Sequence, residues 1–434
     1  MRKLNMFLMC MLVVSAMAQP TARQWNDEVT AGWNLGNQLE CSPQGWNNES
    51  TSFGNPTNAM QAETAWGNPQ VTKQMLQAVK AAGFNAVRIP VRWQCHITDA
   101  ATMTIDPEWM QRIKDVVGYC LDYDMKVIIN THHDMWLERR ALYTYQTENN
   151  QKLELLWTQI ANAFSDYDYR LAFAGTNEVH IKDDYNYPTN ENLAVQNSYN
   201  QTFVDAVRST GGNNLKRHLI VQTYNCNLSY GLNGFIVPDD IAGNGNDYMS
   251  VEFHYYEPWD YCGSGTYYYW GQAYSSYGAT SNSKETTMRS DLQKTADTWG
   301  TKGLGIIIGE WGVTDHWLTT FKDVIRENMT YYCKLLVSEA RQRGIATFVW
   351  DNNSFGNGTE KYGIFNRWSN MQLVAEWTLD GIQQGIATDM TLPIINNEHS
   401  LYTPRKVLKD GKVIIEKGDK YYNLQGQSIE KVHE

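Results

Sequence analysis

The chain has no excess of positive charge. Its 434 residues include 36 lysines and arginines against 47 aspartates and glutamates, which gives a formal net charge of −11. A protein that binds the phosphate backbone of nucleic acids needs a basic surface. The composition therefore argues against nucleic acid as a partner.

A long apolar run is also missing. A membrane-spanning helix needs roughly 20 consecutive apolar residues, and the apolar run at residues 6–14 is shorter. Basic residues precede this run, and Ala16 and Ala18 occupy the −3 and −1 positions of a cleavage site. We therefore predict a signal peptide over residues 1–18, cleavage near Ala18, and a secreted or cell-surface protein without membrane insertion.

Cysteines are few and widely spaced. Six remain after the predicted cleavage, and no two of them form a CxxC pair, which argues against a cysteine zinc site. An even number in an exported chain permits disulfides, but free buried thiols are equally compatible with a core of this size. The six are Cys41, Cys95, Cys120, Cys226, Cys262 and Cys333. We expect no metal and no cofactor.

Apolar, β-rich runs alternate with amphipathic stretches along the chain. The runs predict strands at 32–37, 86–91, 126–130, 171–174, 219–223, 249–253, 305–308 and 345–350. The stretches predict helices at 71–82, 107–123, 150–164, 191–209, 285–299 and 329–343, with Asp106 as N-cap and Pro107 as first helical residue. This alternation predicts an α/β fold, a (β/α)8 TIM barrel. An open doubly wound sheet is the alternative, but a phosphate-binding glycine turn is missing after the first strand.

Two further segments lie outside this alternation. Residues 255–284 are too long for an ordinary connection and predict a functional loop over the barrel mouth. Residues 391–434 predict a short C-terminal β tail, with strands at 407–408, 412–416 and 421–424 separated by glycine turns. The predicted catalytic barrel therefore covers residues 19–390.

Polar residues stand at the ends of most predicted strands, where the catalytic groups of a TIM barrel lie. Two of them are glutamates, Glu178 after Asn177 and Glu310 before Trp311-Gly312. Retaining glycoside hydrolysis requires such a pair, one acid/base and one nucleophile. The other strand-end residues are Arg88, His132, His133, His254, Tyr256 and Trp350. The pattern predicts an enzyme that cleaves polysaccharides.

Three motifs carry a resemblance to a known family. They read GWNLGN at 32–37, ETAWGNP at 63–69 and GFNAVRIPV at 83–91. Together with the strand-end residues, they resemble glycoside hydrolase family 5 of clan A, and within it a cellulase subfamily that accepts several β-1,4 backbones. The match runs in order from about Trp25 to Gln384.

The resemblance implies a retaining endo-β-1,4-glucanase with Glu178 as acid/base and Glu310 as nucleophile. It implies that Arg88 keeps the nucleophile ionised and that Asn177 contacts the 2-hydroxyl of the sugar. The same resemblance places the remaining residues around the substrate: Asn37, His132, His254 and Tyr256 beside the glycan, and Trp350 beneath the cleaved sugar. His133 either faces a subsite or points away, because neighbouring residues on a strand alternate in direction.

The chemistry also sets expectations for protonation. Glu178 must be protonated before cleavage, so we expect a raised pKa, whereas Arg88 should lower the pKa of Glu310. Tyr256 can donate a hydrogen bond to Glu310. One departure from the family is that Val179-His180 follows Glu178 where relatives usually carry proline, which leaves the contacts of that loop open.

Other functions stay open at this point. The same scaffold is compatible with a xyloglucanase, mixed-linkage glucanase, xylanase or mannanase, and a glycan-binding protein without catalysis is the alternative of another class. We expect a monomer whose partner is a β-glucan or hemicellulose polysaccharide. The tail resembles the C-terminal sorting segments of certain Gram-negative secreted proteins, and a plain β appendage is the alternative.

Overall fold

The computed structural model describes residues 19–45, 53–54, 56–184 and 186–388, together with four short strands between 405 and 429. The predicted signal peptide at 1–18 lies outside the described residues. The chain divides into two compact units, Met1–Thr388 and Asp389–Glu434. The catalytic residues predicted above all belong to the first unit.

Eight parallel strands close into a barrel in which each strand pairs with its neighbours in sequence, and the last pairs with the first. They are β1 Gly32–Leu35, β2 Ala86–Ile89, β3 Lys126–Asn130, β4 Leu171–Ala174, β5 Leu219–Asn227, β6 Met249–Tyr255, β7 Gly305–Trp311 and β8 Ile345–Asp351. Parallel strands covered on both faces read as continuous apolar runs. The predicted TIM barrel is confirmed, because each strand lies where a run predicted one.

The strand ends differ from the prediction. Strand β1 stops at Leu35, since Asn37 adopts a left-handed φ of 55° in the turn that follows. Strands β5, β6 and β7 continue into polar residues, and their register shifts between Gln222 and Asn227 and between Phe253 and His254. These irregularities turn polar side chains toward the mouth of the barrel.

Helices surround the barrel. They are α1 Ala22–Asp27, α2 Ala59–Glu63, α3 Lys73–Ala81, α4 Pro107–Asp122, α5 Met135–Glu138, α6 Tyr143–Ala163, α7 Asn190–Ser209, α8 Leu228–Gly234, α9 Trp259–Cys262, α10 Glu285–Thr298, α11 Lys322–Arg341 and α12 Glu376–Ile386. Asp106 caps α4 as predicted, accepting a hydrogen bond from Glu108 N at 2.9 Å. Helices α6 and α11 each begin seven residues before the predicted start, because their first turns carry too few apolar residues to show a helical period.

The barrel interior is filled by small and branched aliphatic side chains together with two aromatic ones, and it is closed at one end. The interior cluster consists of Trp25, Val29, Ala86, Ile128, Ala172, Ala174, Ile220, Ile307, Ala346 and Phe348. Trp25 and Val29 come from α1 and the turn after it. Asn26 Nδ2 donates to Ser250 Oγ and to Ile306 O, both at 3.2 Å, near the starts of β6 and β7. Helix α1 therefore covers the N-terminal end of the barrel, which leaves the C-terminal end for the functional site.

The long segment 255–284 leaves the C-terminal end of β6. It contains α9 and a 3-10 turn at Gln272–Tyr277. The segment is anchored to α11, because Asn328 accepts from Trp270 N at 2.9 Å and donates to Trp270 O at 2.7 Å. It therefore lies on the mouth side of the barrel, as predicted.

The second unit contains four short antiparallel strands, Arg405–Lys409, Lys412–Lys417, Lys420–Tyr422 and Ser428–Ile429. In the described part of the chain, all six cysteines are buried free thiols. Of the helices described there, none is long and apolar enough to cross a membrane.

Candidate active site

The two predicted glutamates meet at the C-terminal end of the barrel. Glu178 follows β4, and its side chain is 37% exposed, whereas Glu310 lies in β7 and is almost buried. A carboxylate oxygen of each glutamate and a ring nitrogen of His254 all lie within 4.8 Å of one another. The strand-end pattern in the sequence therefore brings together two carboxylates that are far apart in the chain.

Arg88 connects these groups from the end of β2. Its fully buried guanidinium donates from Nη1 to Glu310 Oε1 at 2.9 Å and from Nη2 to Asn177 Oδ1 at 3.0 Å. Nη2 also lies 3.0 Å from Glu252 Oε1. Burial disfavours the charge of Arg88, but Glu252 and Glu310 outweigh burial and raise the pKa of its guanidinium. Arg88 is therefore always charged, and its positive charge lies beside the carboxylate of Glu310.

Asn177 is oriented by the same guanidinium. Because its Oδ1 accepts from Arg88, the amide NH2 is the group that can donate to a ligand. On the other side of Glu310, Tyr256 Oη donates to Glu310 Oε2 at 3.3 Å, the contact expected from the sequence.

Glu252 is a member of the site that the sequence analysis missed. It is completely buried, accepts from Gln222 Nε2 at 2.8 Å and pairs with Arg88. Burial opposes its ionisation, but Arg88 lowers the pKa of Glu252 to about 2. The sequence does contain a sign of this role. Glu252 stands two residues before His254, and residues two apart in a strand lie on the same face of the sheet. Asn34 accepts from Arg88 Nη1 at 3.1 Å and was also not predicted, because it lies inside β1 and not at its end.

His254 lies between the two glutamates. Its Nδ1 is 2.6 Å from Glu178 Oε1 and 3.6 Å from Glu310 Oε2. Burial disfavours the imidazolium, but the contacts with Cys226, Glu310 and Glu178 outweigh burial and raise the pKa of His254 well above its ordinary value. The imidazole therefore carries a proton that it can share with Glu178.

The expected order of the two glutamate pKa values is wrong. Burial alone would raise both values, but the hydrogen bond and charge of His254 lower the pKa of Glu178. For Glu310, burial outweighs His254 and Arg88, so its pKa is raised. Glu178 follows β4 and His254 lies in β6, so the sequence does not show the contact that lowers the pKa of Glu178.

The two adjacent histidines do not point in opposite directions, which corrects one of the two interpretations above. Strand β3 ends at Asn130, and His133 adopts a left-handed φ of 58°. The rings of His132 and His133 are therefore only 4.4 Å apart between centroids. His133 N donates to Glu138 Oε2 at 2.7 Å, and its ring lies 6.0 Å from that of Trp66.

Trp350 and Asn37 border the same end of the barrel. The Trp350 ring is nearly parallel to that of His132, with centroids 6.0 Å apart and planes 9° apart. Trp350 is 9% exposed, and a Cβ on Gly36 would come within 2.7 Å of its ring. Asn37 lies in the turn after β1, where its carbonyl accepts from Asn68 Nδ2 at 2.5 Å. These contacts place Asn37 in the turn at the rim of the barrel mouth.

His180, in the Val179-His180 pair that follows Glu178 where relatives usually carry proline, is buried. Its backbone N donates to Glu138 O at 2.8 Å, and its ring Nδ1 lies 2.5 Å from the carbonyl oxygen of Glu178. Its Nε2 contacts Arg139. His180 therefore supports the backbone that carries Glu178 and is not placed to contact a leaving group.

Two carboxylates and an imidazole are donors that a metal could also use. In this site, however, each of them is engaged by hydrogen bonds or ion pairs with another side chain of the cluster. The arrangement fits acid–base and nucleophilic chemistry at carbon.

Comparison with known proteins gives the family. The family model described as "Cellulase (glycosyl hydrolase family 5)" matches residues 50–356. The chain belongs to glycosyl hydrolase family 5. It is therefore a glycoside hydrolase, and the prediction made from the strand-end residues is confirmed at this level.

Relatives extend over most of the chain. Endoglucanase A of Paenibacillus barcinonensis is 33% identical over 381 residues, which cover 84% of this chain and 90% of the relative. A xyloglucan-specific endo-β-1,4-glucanase of Bacteroides ovatus is 37% identical over 306 residues, covering 69% of this chain and 58% of that longer protein.

Solved structures agree with the barrel. A Bacteroides ovatus family 5 xyloglucanase in complex with a XXXG heptasaccharide superposes with a TM-score of 0.76 at 32% identity, covering 85% of this chain and 77% of the other. A broad-specificity endoglucanase from Clostridium longisporum gives a TM-score of 0.74 at 30% identity, covering 85% and 99%.

The pH dependence of activity tests the proton shared by His254 and Glu178. The pKa of His254 is raised above 6.5, so the shared proton is held above that pH and lost as pH rises through the raised value. We expect the alkaline limb of the kcat/KM profile, which reports the free enzyme, to move to lower pH in His254→Asn. An unchanged alkaline limb in that variant would mean that another group holds the proton.

The role of Trp350 can be separated from core packing by measuring kinetics beside thermal melting. If Trp350 is a sugar platform, the Trp350→Ala variant should bind glycan more weakly and have a lower kcat/KM. If the ring is part of the core, removing it should lower the free energy of unfolding by about 3–5 kcal/mol. We expect Trp350→Ala to lose activity per folded molecule. The fully buried Trp157 is the matched control, since Trp157→Ala should lower the melting temperature and keep the activity of the folded fraction.

Proposed function

We propose that this family 5 enzyme is a retaining endo-β-1,4-glucanase that hydrolyses internal β-1,4 bonds of glucans. The observation that carries the proposal is the short distance between the glutamates, whose nearest oxygens lie within 4.8 Å. Retaining enzymes hold their two carboxyl groups about 5–5.5 Å apart, and inverting enzymes about 6.5–9.5 Å apart to admit a water molecule.

In the first step, Glu310 attacks the anomeric carbon while Glu178 gives its proton to the glycosidic oxygen. The C–O bond breaks, the leaving chain departs with a new hydroxyl group, and the sugar is joined to Glu310 as an ester. Arg88 and Tyr256 contact different oxygens of Glu310 and hold the carboxylate in one orientation. Asn177 is placed to bond the 2-hydroxyl, an interaction that strengthens in the transition state.

In the second step, water attacks the same carbon and Glu178 takes its proton, which releases Glu310. Each step changes the protonation of Glu178. Its proton leaves with the departing chain in the first step, the attacking water replaces it in the second, and the restored proton is then shared with His254 at 2.6 Å. The active state of the free enzyme thus has one proton on the pair of Glu178 and His254 and none on Glu310. When a glycan excludes water from the pair, the proton passes to Glu178, because burial disfavours a charged imidazolium.

The names of the relatives support a β-1,4-glucan backbone and leave the side branches to be tested. The Bacteroides ovatus sequence and structure compared above are both named as xyloglucan-active, and the Clostridium longisporum protein is named a broad-specificity endoglucanase. We place linear β-1,4-glucan first and xyloglucan second. A panel of β-glucan, mixed-linkage glucan, xyloglucan, xylan and mannan ranks these substrates, and cleavage of xylan or mannan alone would refute the proposal.

A glycan-binding protein without turnover is the alternative of another class. Both glutamates, Arg88 and the proton-sharing histidine are present and in contact, an arrangement that binding alone does not require. All of these groups come from one chain, which supports action as a monomer.

Replacing the nucleophile tests the mechanism. Glu310→Gln keeps the size and polarity of the side chain but cannot form the ester, so we expect turnover to fall by at least about 10³-fold with glycan binding retained. The matched control is Glu108→Gln at an exposed position of α4, which should keep full activity. NMR of the first product should show the β anomer. Either an α first product or normal hydrolysis by Glu310→Gln would contradict the assignment.

We also propose that the protein is exported. In this proposal, residues 391–434 direct secretion and are not needed for the fold of the catalytic unit. The support is the apolar run after two basic residues and the division of the chain into units at Thr388. Expressed in a Gram-negative host, the exported protein should begin at Gln19. A protein ending at Thr388 should melt and hydrolyse glucan like the full chain. Loss of folding after this truncation would show that the tail belongs to the catalytic unit.

A further inference from the structure

Trp368 is the most unusual aromatic residue outside the catalytic cluster. Its side chain is 66% exposed, although an indole ring is large and mostly apolar. The ring is nevertheless fixed in place, because Nε1 donates to the carbonyl oxygen of Gly67 at 2.8 Å. Its backbone N donates to Asn366 Oδ1 at 3.0 Å. An exposed ring that is held by its polar edge keeps its apolar surface available for a ligand.

The segment that carries Trp368 is rigid as well. The preceding residue, Arg367, is buried and donates to Gly36 O and Asp351 O, each at 2.7 Å. Arg367 N donates to Asn353 Oδ1 at 3.0 Å. The segment after β8 is thereby tied to the turns after β1 and β8. A ring that is already ordered loses little freedom when a ligand binds.

Trp368 lies at the outer end of a row of rings that starts at the catalytic centre. From Trp350 the row continues to His132 at 6.0 Å, to His133 at 4.4 Å and to Trp66 at 6.0 Å between centroids. Gly67, whose carbonyl binds Trp368, is the next residue after Trp66. The row therefore leads from the sugar that is cleaved to the rim at Trp368.

Among the described residues at this rim, the side chains that bond one another are carboxamides, and the carboxylate of Glu40, which accepts from Asn37 N, is buried. Asn353 Nδ2 donates to Asn68 Oδ1 at 2.7 Å, and Asn68 Nδ2 donates to Asn37 O. Arg367, the residue before Trp368, is buried against Asp351 and the backbone. An open aromatic face beside carboxamide groups, with no exposed charge among these contacts, suits the C–H face and hydroxyl groups of a neutral sugar.

We propose that Trp368 is a distal platform that binds the glucan chain several sugars away from the cleaved bond. The inference rests on the proposed function, since it assigns a further contact for the same polysaccharide. A platform at this distance is reached by long chains and not by short ones. It therefore raises the affinity for polymers without changing the chemistry at Glu310.

Binding of two oligosaccharides tests the platform. In the inactive Glu310→Gln background, calorimetry with cellotriose and cellohexaose would be compared for Trp368→Ala, Trp368→Phe and Tyr169→Ala. We expect Trp368→Ala to weaken cellohexaose binding by about two- to tenfold, the range for one aromatic contact, and to leave cellotriose unchanged. Trp368→Phe should restore most of the loss. Tyr169, a 38% exposed aromatic residue just before β4 at the opposite end of the barrel, is the matched control and should change neither affinity.

Kinetics in the active enzyme give the second measurement. On soluble β-glucan, Trp368→Ala should raise KM with kcat unchanged, whereas kcat/KM on an aryl β-cellobioside should stay at the wild-type value. Equal losses on both substrates, or full affinity for cellohexaose in the variant, would overturn the platform. Hydrolysis of β-glucan by the wild type tests the proposed function separately, so the failure of one is distinguishable from the failure of the other.

A dimer in the wild type that Trp368→Ala abolishes would make this face an interface between copies and would also overturn the proposal.

Discussion

The catalytic end of the barrel depends on one buried cation. Glu252 and Glu310 both lie beside Arg88, and two carboxylates at this distance would repel each other if the guanidinium were absent. Removing one partner of a buried ion pair typically costs about 3–5 kcal/mol, because a charge is left without compensation. Glu252 is the structural half of this arrangement and Glu310 the reactive half. The first anchors Arg88, and Arg88 in turn fixes both Glu310 and Asn177.

This charge cluster constrains the backbone next to it. A Cβ on Gly309 would lie 1.8 Å from Glu252 Oε1, so the residue before the nucleophile has room for glycine alone. Gly36 has a similar role beside the Trp350 ring. The glycines of the motif at 32–37 and the glycine before Glu310 are therefore explained by close approach of side chains and not by turn formation.

The sequence predicts the fold and the reactive pair well because both depend on local patterns. Strands buried on two faces are apolar throughout, and barrel topology then brings their polar ends together. Asn34 and Glu252 could not be predicted from such patterns because they lie inside strands. A polar residue there is explained only by its contact with Arg88. The protonation of Glu178 could not be predicted for a related reason, since His254 comes from a strand more than seventy residues away. His133 was ambiguous because its direction depends on a left-handed φ that follows the end of β3.

Helix α1 covers the N-terminal end of the barrel, and this contact has a consequence for the order of folding. Asn26 is made early in synthesis, but its partners Ser250 and Ile306 lie 224 and 280 residues further along the chain. Contacts of such high sequence separation form late, since the intervening chain must first be ordered. The contacts that Asn26 makes with the barrel thus cannot all form until the seventh strand has been synthesised. Until residue 306 has been made, the N-terminal end of the barrel therefore lacks a contact between its first helix and its seventh strand.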